Sequence, residues 1–187
     1  MQDTLARTVG PVRDRSLTEW VVLALTAEGT THGFDVAREV AEGSSLGRIW
    51  TVRRPLVYRA VDSLVEEGLL AVAGTEEGRG PQRRLLTITP AGQDAVAAWL
   101  DEPVEHVRDV RTELLVKLEL SRRRGLDLVP LLEAQEEVFE PLMESLGGLS
   151  GDAPVDLVTL WRQENARTVA RFLAAARQVC DGRDSPP

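Results

Sequence analysis

The sequence predicts a mainly α protein: three helices and a β-hairpin in its first half, then helices alone in its second. Three observations carry this. Apolar residues recur at helical spacing as far as Gly68. The period then shortens to alternation on either side of a glycine-rich connection, and after Pro103 only helical rhythm remains.

Taken in order, Leu17 to Ala27 is largely apolar and ends at Gly29, as a buried first helix would. A second helix is expected over Gly33 to Glu42, turning Phe34, Val36, Ala37, Val40 and Ala41 to a core, with Gly43 as its stop. The third begins near Pro55, since proline at the first helical position gives up an N–H that has no partner there. Val57, Val61 and Leu64 follow at spacings of four and three, and Gly68 closes the helix. Leu70 and Val72 alternate with alanines, and Leu86 and Ile88 alternate with Leu85, Thr87 and Thr89. Between them Gly74 to Arg83 forms a long hairpin tip with three glycines and a proline. Pro90 opens a fourth helix with Ala95, Val96, Trp99 and Leu100 on its apolar face.

The second half holds one helix marked by Leu114, Leu115 and Leu118, which ends at the charged turn Arg122 to Gly125. Another runs from Leu128 to Leu146, with Leu131, Leu132, Val138, Phe139, Leu142 and Met143 in its rhythm. After the break Gly147 to Pro154 a last long helix carries Val158, Trp161, Val169, Phe172, Leu173 and Ala176 on one stripe. Three helices followed by a hairpin are the parts of a winged helix-turn-helix domain. The expected organisation is an arm at residues 1–15, the winged-helix domain at 16–101, a helical dimerisation and effector module at 102–179, and a tail at 180–187.

Charge gives the division a function. The chain carries a formal net charge of −8, repulsive to nucleic acid on average. Yet Ser44 to Val61 contains Arg48, Arg53, Arg54 and Arg59 with no acid, and Gly78 to Gln93 contains Arg79, Arg83 and Arg84, again with none. A helix that reads the major groove needs a sealed apolar face and donors at its N-terminal side. Thr51, Arg53, Arg54, Tyr58 and Arg59 supply the donors, and a hairpin tip with Arg79, Arg83 and Arg84 supplies a cationic wing. Double-stranded operator DNA is therefore the expected partner. Taken singly, a basic helix is only a solvated face; it is the order of the two basic segments within the helix-helix-helix-hairpin frame that carries the reading. A winged helix used for protein–protein contact is the alternative, favoured by the acidic balance and by Glu76 and Glu77 in the tip.

The sequence also resembles the PadR-type transcriptional regulators, in LTEWVVLALTAEGTTHGFDVAREV (Leu17–Val40), VYRAVDSLVEEGLL (Val57–Leu70) and GPQRRLLTITPAG (Gly80–Gly92). RTELLVKLEL (Arg111–Leu120) and LWRQENARTVARFL (Leu160–Leu173) resemble parts of that family's C-terminal module. The resemblance implies a homodimeric repressor released by a small molecule or another signal, with Tyr58 and the neighbouring arginines on operator DNA. It departs from the family at the enlarged wing tip and at His32-Gly33-Phe34, which is expected to be structural.

Other chemistry finds little support. His32, His106 and Cys180 are too scattered for a metal site, and one cysteine forms no internal disulfide. There is no P-loop, dinucleotide fingerprint or nucleophile elbow, and Glu66-Glu67 and Glu136-Glu137 are expected on solvated helix faces. No enzyme activity, cofactor or metal is expected. No apolar run is long enough to span a membrane and Met1 to Pro11 lacks a secretory signal, so the expected location is the cytoplasm. Trp99, Leu160, Trp161 and Phe172 are the candidate dimer contacts, on the last helix and the Pro90 helix; the effector pocket is unknown. Twenty-one arginines accompany a single lysine, Lys117.

Overall fold

A computed structural model describes residues 15–29, 31–76, 83–147 and 156–182. Helix α1 (Leu17–Ala27) starts at Ser16, whose hydroxyl accepts from the Glu19 N–H while the Glu19 carboxylate accepts from the Ser16 N–H, a reciprocal cap. Strand β1 (Thr31–His32) leads directly into α2 (Gly33–Glu39). Helix α3 (Arg54–Glu66) is followed by β2 (Leu70–Glu76), β3 (Arg83–Ile88) and α4 (Pro90–Asp101). The short α5 (Val107–Asp109) passes through a π-helical turn, Val110–Leu114, into α6 (Leu115–Arg123). Two long helices, α7 (Val129–Gly147) and α8 (Leu157–Asp181), complete the described chain.

The three strands form an antiparallel sheet in the order β1-β3-β2, with Thr31 opposite Leu86 and Leu70 opposite Ile88. The hairpin agrees with the sequence pattern, but the register slips between Val72 and Gly74, and Val72 is left exposed. Strand β1 was not anticipated. Helix α2 is also shorter than expected. The Ser44 hydroxyl lies 2.6 Å from the Glu39 carbonyl and 2.8 Å from that of Ala41, and the Val52 N–H takes the carbonyl of Val40. The acceptors that would continue the helix are thus claimed by the loop behind it. Gly68 sits at φ +72°, the left-handed turn that ends α3 and starts β2.

One core joins α1, α2, α3, the sheet and α4 through Val22, Leu23, Val36, Val57, Leu64, Leu86 and Val96, and it also takes in Val116 and Leu120 of α6. A second core lies among Leu114, Leu131, Leu132, Phe139, Val169 and Leu173. Within α7 the polar Gln135 is fully buried, where its amide accepts from the Val104 N–H at 2.7 Å and donates to the Val104 carbonyl at 2.8 Å. Both backbone groups of an otherwise unpaired loop residue are satisfied this way.

The stripe expected on α8 is only half right. Val169 and Leu173 are buried, joined by Gln163 and Ala166, while Val158 and Trp161 are exposed. Arg177 pairs with Glu133 and Glu136, setting the end of α8 beside the start of α7. With the same rise per residue in both helices, the 25 residues of α8 outrun the 19 of α7 at the other end. That leaves the first turns of α8 without a neighbour in α7.

Candidate nucleic-acid interface

Helix α3 is built to show one face. Val57, Ala60, Val61 and Leu64 are buried, and Thr51, Arg53, Arg54, Tyr58 and Arg59 are exposed at its beginning. Arg53 is the N-cap in extended backbone and Pro55 stands in the first turn. The first turn of α3 carries no acid, so the positive end of the helix dipole and the arginines reinforce one another. Thr51 is partly engaged, donating its hydroxyl to the Gly47 carbonyl at 3.0 Å.

The wing enters from the other side. Arg83 and Arg84 are exposed at the start of β3; Arg79 lies outside the described residues. A cleft of about 450 Å³ opens between the two elements, lined by His32, Gly33, Phe34, Tyr58, Val61, Arg83, Arg84 and Leu86. Arg84 pairs with Asp62 of α3 across it at 2.5 Å. Arg54 and Arg83 each place a guanidinium carbon 5.1 Å from the centre of the Phe34 ring. A Cβ on Gly33 would sit 3.0 Å from Tyr58 Cε1, so glycine lets the tyrosine ring lie against the start of α2. The His32 ring Nδ1 is 3.2 Å from the Arg84 carbonyl, where it donates.

Seven of the eight side chains expected at a DNA surface are therefore described, and all seven are exposed on α3, its lead-in and the wing base. The His32-Phe34 segment, expected to be structural, lines the same cleft. Only its position beside two arginines distant in sequence reveals it. Arg48, in the first basic segment, instead faces α6 in a separate cleft with Ile49, Leu115, Leu118, Glu119 and Arg122.

The candidate dimer contacts separate into two kinds. Trp99 is only 3% exposed and stacks on Trp20, ring centres 5.2 Å apart and planes within 4°. Its indole N–H donates to Glu113, and the ammonium of Lys117 lies 5.1 Å from its ring centre. Trp99 is thus enclosed by its own chain and offers no surface to another. Leu160 and Trp161 are exposed, Trp161 at 70%, and Phe172 is half-buried against the second core. Lys117 is 1% exposed; burial pushes its ammonium below the ordinary lysine value, against the pull of the Glu113 carboxylate. The Arg122 hydrogen bonds hold the Glu119 carboxyl below its usual range.

Among the described residues no three His, Cys, Asp or Glu side chains are placed to hold a metal ion, and no helix is long and apolar enough to cross a membrane. The transcriptional regulator PadR-like family matches residues 22–98. That match covers less than half of the chain. The negative transcriptional regulator PadR of Bacillus subtilis is 24% identical over 148 residues, 73% of this chain and 80% of that protein. Two Bacillus subtilis PadR structures are similar. One is in complex with operator DNA (19% identity, 88% of this chain and 99% of that one, TM-score 0.46). The other is in complex with p-coumaric acid (17% identity, 89% and 98%, TM-score 0.39). The PadR-like span begins within α1 and ends within α4, so it holds every residue that lines the Phe34 cleft.

Proposed function

We propose that this chain is a PadR-like regulator, a cytoplasmic, homodimeric repressor that binds operator DNA sequence-specifically and is released by a small-molecule effector. The N-terminal side of α3 enters the major groove, presenting Thr51, Arg53, Arg54, Tyr58 and Arg59, while Arg79, Arg83 and Arg84 follow the backbone. The observation that carries this is the acid-free first turn of α3, sealed beneath and flanked by wing arginines across one cleft. The relative from Bacillus subtilis is a negative regulator, and its structures include operator DNA in one case and p-coumaric acid in another. Residues 16–101 form the reading domain and 102–179 the dimerisation and effector module, with Leu160 and Trp161 at the two-fold contact and Phe172 behind them. Leu157, Val158, Leu160 and Trp161 gather large exposed apolar side chains within two turns of α8, a surface suited to a second copy.

Fluorescence anisotropy on the duplex upstream of its own gene, with a scrambled duplex as control, tests the reading. Arg53, Arg54, Arg59 and Arg83 make four described cations per subunit with no ion-paired acid. If all of them in a dimer meet phosphate, the log–log salt slope is about −7. Arg54→Ala and Tyr58→Ala weaken binding with the fold intact. Equal, weak binding to both duplexes overturns the proposal.

A further inference from the structure

Helix α2 has no contact with the major groove in the reading above, yet its first turn touches two of the arginines that reading uses. Phe34 is half-buried there, and the guanidinium carbons of Arg54, from α3, and Arg83, from the wing base, both lie 5.1 Å from its ring centre. The two charges therefore stand no more than about 10 Å apart, roughly one Debye length, with no acid paired to either among the described residues. Two like charges at that range repel, and arginine has many rotamers in which to separate. The π-face of one ring attracts both. It holds them together without neutralising them, as a carboxylate would. Arg84, by contrast, is paired with Asp62, whose carboxylate offsets its charge in the free protein.

We propose that Phe34 is a positioning residue for DNA binding: its ring fixes Arg54 of the reading helix and Arg83 of the wing as one preorganised cationic pair. This rests on the DNA-binding reading. Without the ring, each arginine reaches the duplex only after losing rotamer freedom at the moment of binding, and that ordering cost appears as lost affinity.

The test uses a duplex selected by the full-length wild-type protein from a pool of random duplexes, with affinity read by anisotropy. Phe34→Leu is expected to bind about tenfold more weakly, the size of two exposed cation–π contacts. Phe34→Tyr restores wild-type affinity, because it restores a ring rather than mere bulk. Arg54→Ala costs less in the Phe34→Leu background than in the wild type. If Phe34→Leu has lost its thermal transition, Phe34→Met, which also lacks a ring, takes its place in the comparison. Unchanged affinity on losing the ring, or costs of Phe34→Leu and Arg54→Ala that simply add, overturns the role of Phe34 and leaves the reading helix standing. Selection of no duplex by the wild-type protein overturns both.

Discussion

Asp62→Asn is expected to strengthen DNA binding. Asp62 is on the outward face of α3, 55% exposed, and its carboxylate holds the guanidinium of Arg84, itself 45% exposed. Exposed pairs of this kind contribute about 0–1 kcal/mol, so losing it barely moves the unfolding midpoint. Binding responds differently, because the substitution removes a negative charge facing the duplex and frees a wing cation. Each new phosphate contact steepens the log–log salt slope by about 0.9, so two freed arginines per dimer take it from about −7 to about −9. At 0.1 M salt, relative to 1 M, that change corresponds to an upper limit of about 1.8 log units. Ordering two arginine side chains reduces the gain, leaving about tenfold. Anisotropy titrations over a range of salt measure both affinity and slope, and Asp62→Asn combined with Arg84→Ala should remove the gain. A weaker Asp62→Asn complex would refute the reasoning, since it would mean that the carboxylate itself accepts from a base edge. An unchanged slope would show that Arg84 does not reach phosphate.

The two tryptophans predicted for the dimer should behave oppositely. Trp161→Glu should yield a monomer by sedimentation equilibrium with little change in fold, and a persistent dimer would remove α8's first turns from the interface. Trp99→Ala should instead cost about 3–5 kcal/mol in urea unfolding, as for a buried aromatic, and a negligible loss would contradict its enclosure. An amine-reactive ester should label Lys117 only in denaturant, since its ammonium is buried against Glu113, Trp99 and the Glu102 carbonyl; peptide mapping after native labelling decides this. Because burial lowers the folded lysine below the ordinary value of 10.5, the unfolded chain holds the extra proton in the window between the two values. Stability therefore rises with pH through that window, and Lys117→Met should remove this part of the slope in urea titrations at stepped pH; an identical profile in the variant would refute it.

Helix α3 and the hairpin were legible because their signals are local. Pro55, the spacing of Val57, Val61 and Leu64, and the stop at Gly68 specify α3 within one short stretch. What escaped the sequence depends on partners far away. Strand β1 is two residues long, too short to have a period, and exists only because β3 offers it an edge. The length of α2 is decided by the hydroxyl of Ser44 and the N–H of Val52. On α8 the hydrophobic rhythm picked Val158 and Trp161, whereas the buried stripe runs through Gln163 and Ala166, because the unequal lengths of α7 and α8 decide where contact ends. Phe34 reads as scaffold in the sequence because its two arginine neighbours come from separate elements.

On the proposed reading, the net charge of −8 and a dimer act together. Each subunit offers few cations to a duplex, and the chain as a whole is negative. A single subunit sliding on arbitrary DNA gains little, since random orientations bring acidic surface to the phosphates. Only an approach that turns the start of α3 and the wing base inward places Arg53, Arg54, Arg59 and Arg83 within screening distance of the backbone. Linking two such surfaces rigidly doubles the phosphate contacts and demands two half-sites at matching separation. On that reading an acidic scaffold is expected to depress non-specific binding more than specific binding, and it is the ratio of the two that lets a regulator find its site among competing DNA. On this account, adding arginines at random to the acidic helices should raise affinity for any duplex and lower discrimination. A competition titration of the selected duplex against scrambled DNA would show this, and a variant that gained affinity without losing discrimination would refute it.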